Sequence, residues 1–154
     1  MTWFLDFIGY NCPGYRFIVK EIAIIDRDDE DRCYNYFITG PKAYPIWYSQ
    51  TIHHQYKWHN LRWEFGDYEF NEAMMDIARK MGEDTVYIKG TEKYDFMRRR
   101  LPRPKFVELE DIPAVCYLNS CTQERCNVKH GDHCARRRVY ELRHYIINND
   151  SFYK

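Results

Sequence analysis

Apolar and polar positions divide the chain into blocks of two different periods. "TWFLDFIG", residues 2–9, is aromatic and aliphatic apart from one aspartate, and it stops at Gly9 ahead of the turn residues in "NCPG". That pattern predicts a strand. "RFIVKEIAII" is a long β-branched run ended by the acidic turn "DRDDEDR", and "CYNYFITGP" resumes the strand pattern as far as Gly40 and Pro41. Three adjacent antiparallel strands are the simplest account. The stretch from Lys42 to Glu69 is rich in aromatic residues, too apolar for a solvated linker and too patternless for a helix, and is expected to fold over a groove.

Beyond residue 69 the period changes. Phe70, Met74, Ile77, Ala78 and Met81 recur at helical spacing, with Asp67 as a candidate cap. "DTVYIKG" predicts a short strand, "EKYDFMRRRL" a helix or helical turn, and "KFVELE" a further strand between prolines. Ala135, Val139, Leu142 and Ile146 share one side of a final helix. Without repeat, low-complexity tract or second domain, residues 1–154 are expected to form a single domain of mixed α/β class.

Composition narrows the function classes. A chain of 154 residues with 45% hydrophobic and 18% aromatic content can bury a core, which excludes a disordered tail protein. Its 23 basic and 23 acidic residues cancel, so bulk charge does not attract polyanions and any nucleic-acid binding must use local patches. Neither a leader nor a membrane span is expected, because no apolar run approaches the ~20 residues a span requires. Together with the cysteine usage, this predicts an intracellular protein, cytoplasmic or nuclear, with no membrane partner.

Candidate chemistry concentrates in the last third. Of six cysteines, Cys12 and Cys33 are isolated, whereas Cys116, Cys121, Cys126 and Cys134 crowd together with His130 and His133. Without a secretory signal, that clustering favours structural zinc over free thiols or disulfides. In "CNVKHGDHC", Cys126, His130 and Cys134 recur every four residues, and the fourth tetrahedral ligand must be Cys121, Cys116, His133 or a glutamate. The plainer alternative for the two histidines is a polar helix cap. Positive charge gathers in "RRRLPRPK" and "ARRRVYELRH", so Arg98, Arg99, Arg100, Arg136, Arg137 and Arg138 are candidate phosphate contacts. Trp58, His59 and Trp63 either stack on unpaired bases or belong to a core or lid.

The element order, three strands followed by alternating helices and strands, resembles the ribonuclease-H-like fold, a mixed sheet flanked by helices. The motifs are similar to those of the DEDDh 3'-5' exonuclease superfamily, whose first strand carries an aspartate and, two residues on, a glutamate, both binding catalytic magnesium. "FLDFIG" offers Asp6 at the first position and Ile8 at the second. "VYIKGTEKYDFMRRRL" resembles the segment bearing the third acidic residue, here Asp95. The last motif is a histidine followed five residues later by an aspartate; "HCARRR" supplies His133 and then Arg138.

Two of the four carboxylates are therefore missing. Two-metal hydrolysis needs carboxylates to hold ions ~4 Å apart, and an arginine at the last position places positive charge where a cation must sit. At an effective dielectric of ~20, two unit charges ~4 Å apart cost ~4 kcal/mol. Glu141, one helical turn beyond Arg138, is a candidate substitute.

The Maelstrom domain, a ribonuclease-H-like module that has lost these carboxylates and carries a Glu-Cys-His-Cys zinc site, is similar in both respects. The resemblance implies that Cys126, His130 and Cys134 bind zinc together with Glu21 of "KEIAII", with His133 as an alternative to His130. It also implies a degenerate exonuclease-like domain that binds RNA or single-stranded nucleic acid. Two other readings remain. One is an active magnesium- or manganese-dependent nuclease using Asp6, Asp95 and Glu141; the other is an adaptor whose groove grips a protein partner.

Overall fold

The computed structural model describes residues 1–11, 17–41, 61–109 and 134–148. Five strands form one mixed sheet: β1 Thr2–Tyr10, β2 Ile18–Asp26, β3 Cys33–Phe37, β4 Thr85–Ile88 and β5 Lys105–Glu108, ordered β3-β2-β1-β4-β5. β1 pairs antiparallel with β2 and parallel with β4; β2–β3 is antiparallel and β4–β5 parallel. Among the described residues, three helices cover the sheet: α1 Phe70–Met81, α2 Thr91–Arg100 and α3 Ala135–Asn148.

The alternation along β1 distributes the core. Trp3, Leu5 and Phe7 point to the face packed by Ala73, Met74, Ile77 and Met81 of α1 and Met97 of α2. Phe4 and Ile8 point to the other face and meet Ala135, Val139, Leu142 and Ile146 of α3. Each such fully buried aliphatic side chain contributes ~2 kcal/mol of transfer free energy. β2 is buried at all nine positions because both faces are covered.

One irregularity shapes the end of the first hairpin. Ile8 pairs with Glu21 and Gly9 with Val19, so Lys20 is the extra residue of a β-bulge. Gly9 permits it: a Cβ there would lie 2.0 Å from the Ile18 carbonyl oxygen. Lys20 is fully buried and donates to the carbonyl oxygens of Trp63, at 2.5 Å, and Phe65, at 2.6 Å. Desolvation lowers its pKa to about 8, against the opposing pull of Glu64.

Two local expectations change. The cap of α1 is Glu69 instead of Asp67, its backbone N–H donating to the Glu72 carboxylate at 3.3 Å. The helix or helical turn expected over "EKYDFMRRRL" is a full ten-residue helix that starts one residue earlier, at Thr91, and ends at Arg100 with Leu101 as its C-cap, its last turn placing three arginines where they complement the helix dipole. Among the described residues, no helix is long and apolar enough to cross a membrane.

Candidate functional site

A polar cluster lies between the sheet and α3, in a layer otherwise aliphatic. Asp6 occupies the position between Phe4 and Ile8 on that face and is 2% exposed. Its Oδ1 accepts from the Phe7 backbone N–H at 2.8 Å and from the Lys93 ammonium at 2.5 Å. Oδ2 has no hydrogen-bond partner, and Arg138 Nη1 stands 3.9 Å from it. One carboxylate thus faces two cations, one from α2 and one from α3.

Glu21 lies beside it. Asp6 pairs with Ala23 and Ile8 with Glu21, so Asp6 and Glu21 are diagonal neighbours across the antiparallel pair. Glu21 is fully buried, and its Oε1 accepts the Ala135 backbone N–H at 2.7 Å, tying the first residue of α3 to β2. Its Oε2 accepts from Asn35 Nδ2 at 2.9 Å and lies 3.7 Å from the Cys134 sulfur. A carboxylate and a thiol 113 residues apart in sequence therefore meet at the start of α3.

Farther along the helix, Glu141 is 1% exposed and takes Arg137 Nε at 3.4 Å on Oε1, while its Oε2 is buried without a partner. Burial pushes its pKa up to about 7 in spite of Arg137 and Arg138.

The structure brings together Asp6, Arg138 and Lys93, and separately Glu21 and Cys134. Asp95 goes elsewhere: it is half exposed and lies 3.9 Å from Arg98 on its own helix. Lys93 and Asp95 are two residues apart, about 200° around a helix, so when one faces Asp6 the other faces away. Lys93 was missed because it carries the wrong charge for the motif; helical phase was the signal that could have found it. His133, Cys126, His130, Cys116, Cys121, Cys12, Trp58 and His59 lie outside the described residues. Among the described residues, no three His, Cys, Asp or Glu side chains come together as a metal group.

The six candidate arginines separate into two kinds. Arg98, Arg99 and Arg100 are exposed at the end of α2, with the Arg100 guanidinium 3.5 Å over the Phe96 ring. Arg100, Phe96, Phe17 and Phe70 border a groove of about 550 Å³. Arg137 and Arg138 are mostly buried, engaged with Glu141 and Asp6, so they serve the interior instead of a solvent-facing phosphate surface. Arg136 is half-buried beside Tyr140. Trp63 takes the core alternative: it is 8% exposed, its ring lies 5.3 Å from that of Tyr10 at a tilt of 52°, and it donates to the Pro41 carbonyl.

Comparison of the chain with protein-family models, curated proteins and solved structures finds no match.

Proposed function

We propose that the chain is a ribonuclease-H-like, exonuclease-like domain that is no longer a nuclease and binds RNA or other single-stranded nucleic acid, with structural zinc at its last helix. The observation that carries this reading is the double clamp on Asp6. A catalytic divalent ion would have to share that carboxylate with an ammonium and a guanidinium. Each would repel it by roughly 8 kcal/mol at ~4 Å and an effective dielectric of ~20. Hard cations also need several oxygen ligands, and Ile8 and Arg138 stand where two of them would be. The central β1, the antiparallel first three strands and the alternating elements that follow are what this fold reading expects.

Zinc is supported by the meeting of Glu21 and Cys134. With Zn–S of about 2.3 Å and Zn–O of about 2.1 Å, two corners of a tetrahedron lie about 3.6 Å apart; the observed separation is 3.7 Å. Glu21 and Cys134 would supply two ligands, with Cys126 and His130 completing the set. Bound there, the ion would tie α3 to β2.

The nucleic-acid reading rests on the exposed Arg98, Arg99 and Arg100 beside an aromatic groove, a combination of phosphate contacts and stacking surfaces. The test is incubation with labelled single-stranded RNA and DNA, in manganese or in EDTA, following degradation and binding together. Salt-sensitive binding without cleavage is the expected result. Manganese-dependent cleavage that Asp6→Ala abolishes would overturn the proposal, and the absence of both signals would favour the protein adaptor.

A further inference from the structure

The groove beside the α2 arginines has one cationic and one anionic wall. It is bordered by Phe17 at the entry to β2, by Glu69 and Phe70 at the start of α1, and by Phe96 and Arg100 of α2. Phe96 holds this set together: its ring lies 6.2 Å from that of Phe17 and 6.3 Å from that of Phe70, centroid to centroid. The Arg100 guanidinium carbon sits 3.5 Å from the same centroid, and its Nη1 donates to the Phe96 carbonyl at 3.1 Å. The three rings are half-buried, so each keeps accessible surface, and Arg100 and Glu69 are exposed.

The volume, about 550 Å³, is that of a small-molecule site. Rings and a guanidinium together suit any nucleotide, since every base has a face to stack and every phosphate accepts from arginine. Glu69 is the wall that discriminates. A capping box holds it in place, its carboxylate accepting the Glu72 backbone N–H while the Glu72 carboxylate accepts its own. Each carboxylate oxygen has two lone pairs, so the cap leaves both oxygens able to accept again. On its Watson–Crick edge guanine sets two donors side by side, the ring N–H and the exocyclic amino group, which match the two oxygens. Adenine, cytosine and uracil each place an acceptor next to the donor, and a carboxylate repels it.

We propose that this groove selects a guanine nucleotide of a single strand, its base among the rings of Phe17, Phe70 and Phe96, its Watson–Crick edge on Glu69 and its phosphate on Arg100. The inference rests on the nucleic-acid reading above and adds a base preference to it. Stacking and the phosphate contact supply affinity for any base, and the carboxylate supplies the choice among them.

The test is calorimetric titration of the full chain with the 5′-monophosphates of guanosine, inosine, adenosine, cytidine and uridine at constant ionic strength, beside their competition with labelled single-stranded RNA. Inosine lacks only the exocyclic amino group of guanosine. Guanosine monophosphate should bind saturably, displace the RNA, and bind about tenfold or more tighter than each of the others, the worth of a charge-assisted hydrogen bond. Glu69→Gln should erase that preference, because an amide offers one acceptor, and Arg100→Gln should weaken all five ligands alike. Lys105→Gln, exposed on β5, should change neither. Equal affinity for guanosine and inosine monophosphates, or a preference retained in Glu69→Gln, would overturn the proposal. Salt-sensitive RNA binding without a guanine preference overturns this inference and leaves the nucleic-acid reading standing, whereas no binding of RNA or nucleotide overturns both. Should Glu69→Gln fail to melt cooperatively, the guanosine-to-inosine ratio in the unmodified chain decides.

Discussion

The ammonium of Lys93 lies 2.5 Å from Oδ1 of Asp6, so a buried carboxylate on the central strand is neutralised from a helix 87 residues away. Removing one partner of such a pair leaves the other charge uncompensated. Lys93 is 28% exposed, so solvent recovers part of the loss. Lys93→Met should therefore destabilise the fold by ~1–2 kcal/mol, and Asp6→Ala by ~2–4 kcal/mol, because it strands Lys93 and Arg138 together. Urea denaturation measures both, and a neutral Asp6→Ala would sink the idea that the clamp holds α2 and α3 to β1.

Glu141 makes stability depend on pH. Its carboxyl titrates near 4.5 when unfolded and at about 7 when folded, so the folded state holds the proton more tightly. Between those values stability falls as pH rises, and above about 7 the full cost of burying the charge is present, on the order of 3 kcal/mol. Glu141→Gln keeps an acceptor for Arg137 and removes the charge. Its melting temperature should exceed the parent's at pH 8 and match it near pH 4.5; a pH-independent difference would contradict this.

Gly9 is required by the bulge. A methyl group at that position would meet backbone atoms of Ile18 at 2.0 and 2.9 Å and the Lys20 nitrogen at 2.9 Å. Backbone cannot yield as a side-chain tip can, so Gly9→Ala should cost more than ~3 kcal/mol, at the severe end for single substitutions. Circular dichroism melting is sufficient to check it.

Zinc content tests the Glu21–Cys134 meeting directly. The purified chain should carry one zinc, lost in Cys134→Ser and weakened in Glu21→Gln, and chelation should lower its melting temperature. Metal-free protein with unchanged melting would leave the 3.7 Å contact as a thiol–carboxylate hydrogen bond.

Nucleic-acid affinity should fall with salt in proportion to the phosphates neutralised. Arg99→Ala and Arg100→Ala should each reduce the slope of log K against log salt by about 1. Arg138→Ala should leave that slope unaltered and lower stability, because its guanidinium faces Asp6.

How much was legible in advance follows the reach of each interaction. Apolar, aromatic and β-branched runs bounded by turn residues marked the strands, and helical spacing marked the first and last helices, among the eight described elements, because both signals are local properties of consecutive residues. Burial of Ala135, Val139, Leu142 and Ile146 followed from spacing in the same way. A cap two residues later than expected, a lysine placed as the extra residue of a bulge, and the division of six arginines between surface and interior were not legible. The bulge and the arginines depend on which distant backbone or charge happens to lie opposite, whereas the cap is a local Glu69–Glu72 capping box that the choice of Asp67 overlooked. Asp95 illustrates the limit: linear alignment selected it, yet the phase of α2 turned Lys93 to Asp6 and Asp95 to Arg98. By itself, the sequence determined the order of the described elements, the apolar sides of the first and last helices and the α/β class. Only tertiary structure decided that Asp6 meets cations and that Glu21 meets Cys134. A contact spanning 87 or 113 residues leaves no periodic trace in the chain, and sheet register and helix phase alone set its geometry.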